Sequence, residues 1–141
     1  MASPHPLVGS WRVTVQIPNA NVTGVNLATY GSDGTVVVAF PSPVPALPGQ
    51  GHQLEFYTPA IGSWVASGER AASQRFVTLG TDERGNPVGT HTVTAEVDVA
   101  ADGETWSGPF RIELASVAGE VVGTVAGTVS ATRIVAPAAG A

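Results

Sequence analysis

The chain has 141 residues, 43% hydrophobic and only 12% charged, with a formal net charge of −5. This length fits one domain with a closed core, and no run approaches the ~18 apolar residues of a membrane helix, so no membrane partner is expected. Cys and Lys are both absent, which removes disulfides, thiolate metal sites, a cysteine nucleophile, Schiff-base chemistry and a phosphate-cradling Lys. The six cationic residues, Arg12, Arg70, Arg75, Arg84, Arg111 and Arg133, are scattered along the chain. They form no basic stripe, so nucleic acid is not an expected partner.

The opening "MASPHP" has neither a basic n-region nor an apolar h-region, so a cytoplasmic location is expected, with residues 1–7 a flexible tail. From Gly9 onward, Val and Thr alternate with small or polar residues, and no segment sustains a 3.6-residue apolar period. Strands are expected over 9–17, 24–31, 34–40, 62–68, 71–80, 88–99, 104–115 and 120–135. Between them lie "GSDG", "SGER", "DERGN", "ADG" and "AGE", whose Gly and Asp residues suit tight hairpin turns. Eight antiparallel strands joined mainly by hairpins can bury every edge by curling into an up-and-down barrel, with a two-sheet sandwich as the alternative. The expected fold is therefore all-β, an eight-stranded antiparallel barrel over residues 8–135, followed by a flexible tail at 136–141.

Residues 41–60 break the meander. Pro41, Pro43, Pro45 and Pro48 exclude a central strand and predict a long loop between the third and fourth strands. Connections of this length are usually functional or disordered, and Leu54, Phe56 and Tyr57 make disorder a poor description. His52, Glu55 and Tyr57 are placed on this loop as a polar lip over the barrel mouth.

The alternation of side chains assigns faces. Trp11, Val13, Val15 and Ile17 share one face of the first strand. His91 shares the apolar face with Val93, Ala95, Val97 and Val99, and Trp106, Gly108, Phe110, Ile112 and Leu114 share another. In the last strand Gly123, Val125, Gly127, Val129, Ala131 and Arg133 form the inward set. Strands two and three are ambiguous, with Tyr30 and Phe40 read as inward. The inward glycines 108, 123 and 127 are read as making room for a ligand cavity, the alternative being bulges or barrel corners.

A Gly9-x-Trp11 pair opening the first strand, Arg133 near the end of the last and eight antiparallel strands between them resemble the calycin group, which includes the lipocalins. The resemblance implies that Arg133 packs across the Trp11 indole and closes one end of the barrel, while the other end opens to a ligand cavity. Without disulfides, a signal peptide or a helix after the barrel, the chain is more similar to small bacterial lipocalin-like proteins, among which are natural-product cyclases.

The expected ligand is therefore a hydrophobic small molecule. Trp64, Trp106, Phe110, Phe76, Phe40 and His52 are the candidate binding residues. His91, Tyr57 and Tyr30 are the candidate catalytic residues, because an imidazole exchanges protons near neutral pH and a phenol can polarise a carbonyl. Trp64, in a second "GSW" at 62–64 with no matching Arg, is the leading ligand contact. Two functions fit: a cofactor-independent cyclase or isomerase of the polyketide type, pericyclic chemistry included, or a non-catalytic carrier of the same ligand. A filled barrel used for protein contacts is the third reading. His5, His52 and His91 lack the close spacing of a metal site, so neither metal nor cofactor is expected. Val-rich outer patches leave a homodimer open.

Overall fold

The computed structural model describes residues 4–18, 22–46 and 51–137. Ten strands follow in order: β1 (Gly9–Ile17), β2 (Val22–Tyr30), β3 (Thr35–Ala39), β4 (Val44–Pro45), β5 (Leu54–Tyr57), β6 (Ala60–Ala66), β7 (Ala71–Thr81), β8 (Pro87–Val99), β9 (Thr105–Ala115) and β10 (Val121–Ile134). All pairings are antiparallel. The ring runs β1, β2, β3, β6, β7, β8, β9, β10 and back to β1, with the β7–β8 ladder completing closure. The fold is the expected eight-stranded antiparallel barrel, consistent with a calycin-like architecture. Among the described residues no helix is long and apolar enough to cross a membrane.

The long connection after β3 is more ordered than a loop. β5 pairs with β7 through Phe56 opposite Thr81 and Tyr57 opposite Gly80, continuing the line of β6 along the same neighbour. Thr58 bridges the two segments: its amide donates to the Leu79 carbonyl at 3.0 Å, and its own carbonyl accepts from Thr78 Oγ1 at 2.6 Å. β4 pairs only with β5, so Pro45 sits at a sheet margin where its missing N–H costs no central ladder bond. Pro48 lies outside the described residues.

One end of the barrel is sealed. Trp11 and Arg133 are directly opposite in the β1–β10 ladder, and the guanidinium carbon lies 4.1 Å from the indole centroid. Arg133 donates to the carbonyls of Gly103 at 2.8 Å, Val8 at 3.0 Å and Pro6. Trp11 Nε1 donates to the Leu7 carbonyl at 2.9 Å. Gly9 has φ +130°, and a Cβ there would stand 2.6 Å from Arg133 Nη1, so the glycine of the Gly-x-Trp pair makes space for the guanidinium. Pro4–Leu7 do not behave as the expected tail: Leu7 is fully buried, and His5 Nε2 lies 3.1 Å from the carbonyls of Gly68 and Ala71. The remaining tail residues, 1–3 and 138–141, lie outside the described residues.

The inward sets on β1, β8 and β9 follow the alternation, with Trp11, Val13, Ala95, Val97, Trp106, Phe110 and Leu114 all buried. The glycines act differently from expectation. A Cβ on Gly108 would meet the Glu96 carbonyl oxygen at 1.8 Å, and one on Gly127 would meet that of Gln16 at 2.0 Å. These two glycines let neighbouring backbones approach each other; they do not hollow out the lumen.

Candidate functional site

Away from the Trp11–Arg133 seal, the inward Val, Ala and aromatic side chains leave part of the lumen unfilled. A cavity of about 90 Å³ lies among Ala28, Tyr30, Phe76, Ala95, Trp106 and Phe110. It shares Val15, Asn26, Phe40, Val93 and Ile112 with a wider mouth of about 430 Å³, which adds Pro41, Val44, Pro45, Tyr57, Thr78 and His91. The two volumes are neighbours, one within the barrel and one at the rim, and these five residues form walls of both.

Polar groups are few. Deep in the lumen, Tyr30 donates its hydroxyl proton to Gln74 Oε1 at 2.7 Å. Burial pushes the Tyr30 phenol well above its ordinary range, against a smaller opposing effect of the Gln74 hydrogen bond, so the phenol stays protonated. Tyr30 therefore serves as a neutral wall residue and not as a base. Trp106 packs edge-on against Tyr30 (6.3 Å between centroids) and Trp11 (6.2 Å), and its buried Nε1–H has no hydrogen-bond partner among the described residues.

At the rim β5 and β8 bring together a carboxylate, a phenol and an imidazole. Side chains on β5 alternate: Leu54 and Phe56 are exposed, while Glu55 is buried with 1% of its surface accessible. Tyr57 donates to Glu55 Oε2 at 2.8 Å, and His91 Nε2 lies 3.5 Å from Oε1, within ion-pair range when the imidazole is protonated. His52 Nε2 approaches the same oxygen at 3.8 Å. The rings of Tyr57 and His91 are in contact, with centroids 5.2 Å apart, and Phe40 leans on Tyr57 at 5.7 Å.

Burial alone would raise the Glu55 pKa, but the side chains of His91 and Tyr57 that face it, and the charges available on His91 and His52, outweigh burial. The net shift is downward, and Glu55 is held as a carboxylate. Burial, and secondarily the adjoining carboxylate, push the Tyr57 phenol far up, so Tyr57 is a hydrogen-bond donor committed to Glu55. Among the described residues these groups do not form a set of three ligands able to hold a metal ion.

The structure separates the proposed site residues into four places. Tyr30, Phe40, Phe76, Trp106 and Phe110 line the lumen; Tyr57 and His91 line the mouth; His52 stands behind Glu55, lining neither. Trp64 is at the sealed side. Its Nε1 donates to the Gly31 carbonyl at 2.9 Å and its ring lies 5.3 Å from that of His5, so it fastens the N-terminal segment and the β2–β3 turn. It lines neither the lumen nor the mouth. The second "GSW" is structural for a further reason: a Cβ on Gly62 would collide with the Arg75 carbonyl oxygen at 1.9 Å.

Glu55, expected on an exposed lip, is the most buried acidic group of the site, and Asn26 and Gln74 were not singled out at all. Each carried a parity signal. Asn26 is four residues before Tyr30 and Gln74 two before Phe76, so each shares a face with an aromatic already read as inward, and Glu55 is two before Tyr57, the aromatic placed with it at the mouth.

Comparison with known proteins gives no match. Neither a family model, nor a curated protein, nor a solved structure is significantly similar to this chain. The functional reading therefore stands on the geometry.

Proposed function

We propose that the barrel binds an apolar small molecule lengthwise in its channel, with a polar end at the rim. The observation that carries this reading is the apolar cavity inside the barrel next to a wider mouth that shares five of its wall residues, with one polar cluster at the rim. Mouths of small barrels are recurrent ligand sites, and a few placed polar groups in an apolar wall fix a ligand's orientation. The unpartnered Trp106 Nε1–H adds support for a ligand carrying a hydrogen-bond acceptor, since buried donors are normally satisfied.

The finer proposal is a cofactor-independent cyclase or isomerase acting on a polyene- or polyketide-like substrate. Phe40 and Phe76, 6.5 Å apart, and Trp106 offer faces and edges against which a conjugated chain can be folded. Holding reacting carbons in contact contributes as much as ~7–11 kcal/mol to such reactions. The carrier reading needs the same channel but no proton transfer at the rim, and the buried Glu55 beside His91 favours the enzyme.

The binding test uses diphenylhexatriene, a linear conjugated probe. Titration is expected to give one saturable site with energy transfer from tryptophan, lost in Ala95→Leu, which fills the lumen. A folded wild-type protein that leaves the probe dark would overturn the ligand-binding reading.

A further inference from the structure

Building on the ligand-binding reading, we propose that His91 is a general base for carbon acids. Positioned by Glu55, it moves a proton at a carbon adjacent to the carbonyl of a bound apolar ketone.

Four observations converge on this assignment. His91 supplies the imidazole among the residues lining the channel, and it does so at the mouth, where a polar end would rest. The carboxylate it faces is buried, an expensive placement that requires compensation. The fold also reserves space for that carboxylate: a Cβ on Gly80 would lie 2.6 Å from Glu55 Oε1, and Gly80 is opposite Gly89 in the β7–β8 ladder. Finally, Tyr57 occupies Oε2, so the other oxygen is left facing the imidazoles.

His91 Nε2 stands 3.5 Å from Glu55 Oε1, an oxygen with no hydrogen-bond partner among the described residues; closing that gap with an Nε2–H donor selects the tautomer that leaves Nδ1 as the basic nitrogen, the logic by which carboxylates orient histidines elsewhere. The step balances within the site. The Nδ1 lone pair takes the α-proton, the C–H electron pair becomes the carbon–carbon double bond of an enolate, and the carbonyl π pair moves onto oxygen. The imidazolium so formed is opposed by Glu55. The Asn26 carboxamide, which lines both lumen and mouth, offers a neutral N–H donor for the developing oxyanion. Once the imidazolium N–H has exchanged with water at the mouth, delivery of the solvent-derived proton to the same carbon gives exchange, and delivery of a proton to a conjugated carbon gives an isomerised double bond. Nothing is oxidised or reduced. The substrate class is an apolar ketone or enone with an acidic α-hydrogen, His91 is the catalytic residue and Glu55 a positioning residue.

The test uses the full chain with 2-tetralone, an apolar bicyclic ketone, in deuterium oxide. Deuterium incorporation at the α-carbon is followed by NMR, binding by tryptophan quenching, and folding by thermal melting. Exchange above buffer is expected, falling about 100-fold or more in His91→Gln and about 10- to 100-fold in Glu55→Gln, with binding retained in both. The ring nitrogen shifts of His91 should report one tautomer in the wild type and a mixture in Glu55→Gln. Exchange lost in His91→Ala should return on adding imidazole, which a purely structural histidine would not show. Bound ketone without exchange above buffer, exchange that survives His91→Gln, or no rescue by imidazole would each overturn the base assignment while leaving ligand binding standing. Failure to bind both 2-tetralone and diphenylhexatriene removes the ligand reading itself, and this inference with it.

Discussion

Ala95 sits at the centre of the lumen wall, opposite Gln74 on β7 and Phe110 on β9, and only 3% of it is exposed. Replacing it with Leu adds three carbons that project into the cavity of about 90 Å³. An unfilled volume of that size costs about 2 kcal/mol at ~24 cal/mol per Å³, and three newly buried carbons at ~0.8 kcal/mol each give a gain of similar size. Local strain subtracts ~1–3 kcal/mol, so the net change is expected between a loss of about 1 and a gain of about 1 kcal/mol. Ala72 is the control. It is fully buried and inward but does not line the channel, so Ala72→Leu is expected to cost ~1–3 kcal/mol with no compensating gain. Urea unfolding of both variants, paired with diphenylhexatriene titration, checks the difference: Ala95→Leu stable and unable to bind, Ala72→Leu destabilised but binding. Equal losses of stability together with unimpaired probe binding in Ala95→Leu would refute the existence of the cavity.

Arg133→Met should lose the stack on Trp11, worth ~0.5–2 kcal/mol, and strand backbone carbonyls at the seal; a total near 3 kcal/mol in urea unfolding is expected, with probe affinity unchanged. Trp64→Phe removes the hydrogen bond to Gly31, so a loss of ~0.5–1.5 kcal/mol without weaker probe binding is expected; a large fall in affinity would return Trp64 to the ligand site. Gly80→Ala places a methyl against Glu55 Oε1 and should lower stability by ~1–3 kcal/mol and shift the His91 ring resonances. Because the folded-state pKa of Glu55 lies below its ordinary 4.5, the unfolded chain binds more protons in the interval between the two values. The stability Glu55 contributes is therefore full above about pH 4.5 and lost as pH falls through the folded value. Urea midpoints measured on descending pH should fall more steeply for the wild type than for Glu55→Gln. Asp33 and Asp82, also lowered by turn hydrogen bonds from Thr35 and Asn86, remain in both proteins and cancel in that comparison.

Most of the barrel was legible in the sequence because alternation is a local property. The strand limits 9–17 were recovered as β1, and the other long strands fell within a few residues of the alternating segments. Tight turns rich in Gly and Asp fixed the antiparallel order, and period two fixed which side chains of β1, β8 and β9 look inward. The pairing of Trp11 with Arg133, at opposite ends of the chain, was anticipated from the Gly-x-Trp motif and the barrel it implies. The same local logic misread the glycines, because a missing side chain looks identical in sequence whether it admits a ligand or another backbone. It also misread the second tryptophan, since nothing near Trp64 in the chain announces His5 or the Gly31 carbonyl.

The candidate site was decided at a different level. Glu55, Gly80 and His91 belong to three strands, and their meeting depends on β5 extending the line of β6 along β7 and on the β7–β8 ladder closing the ring. Composition and alternation determined an all-β chain with an apolar interior, and the sealing Trp–Arg pair followed from the resemblance to the calycin group. Only the tertiary structure decided how far up the barrel axis each inward residue stands. That height follows from the stagger between strands, a non-local quantity, and it is what separates the structural Trp64 from the Glu55–His91 pair at the mouth.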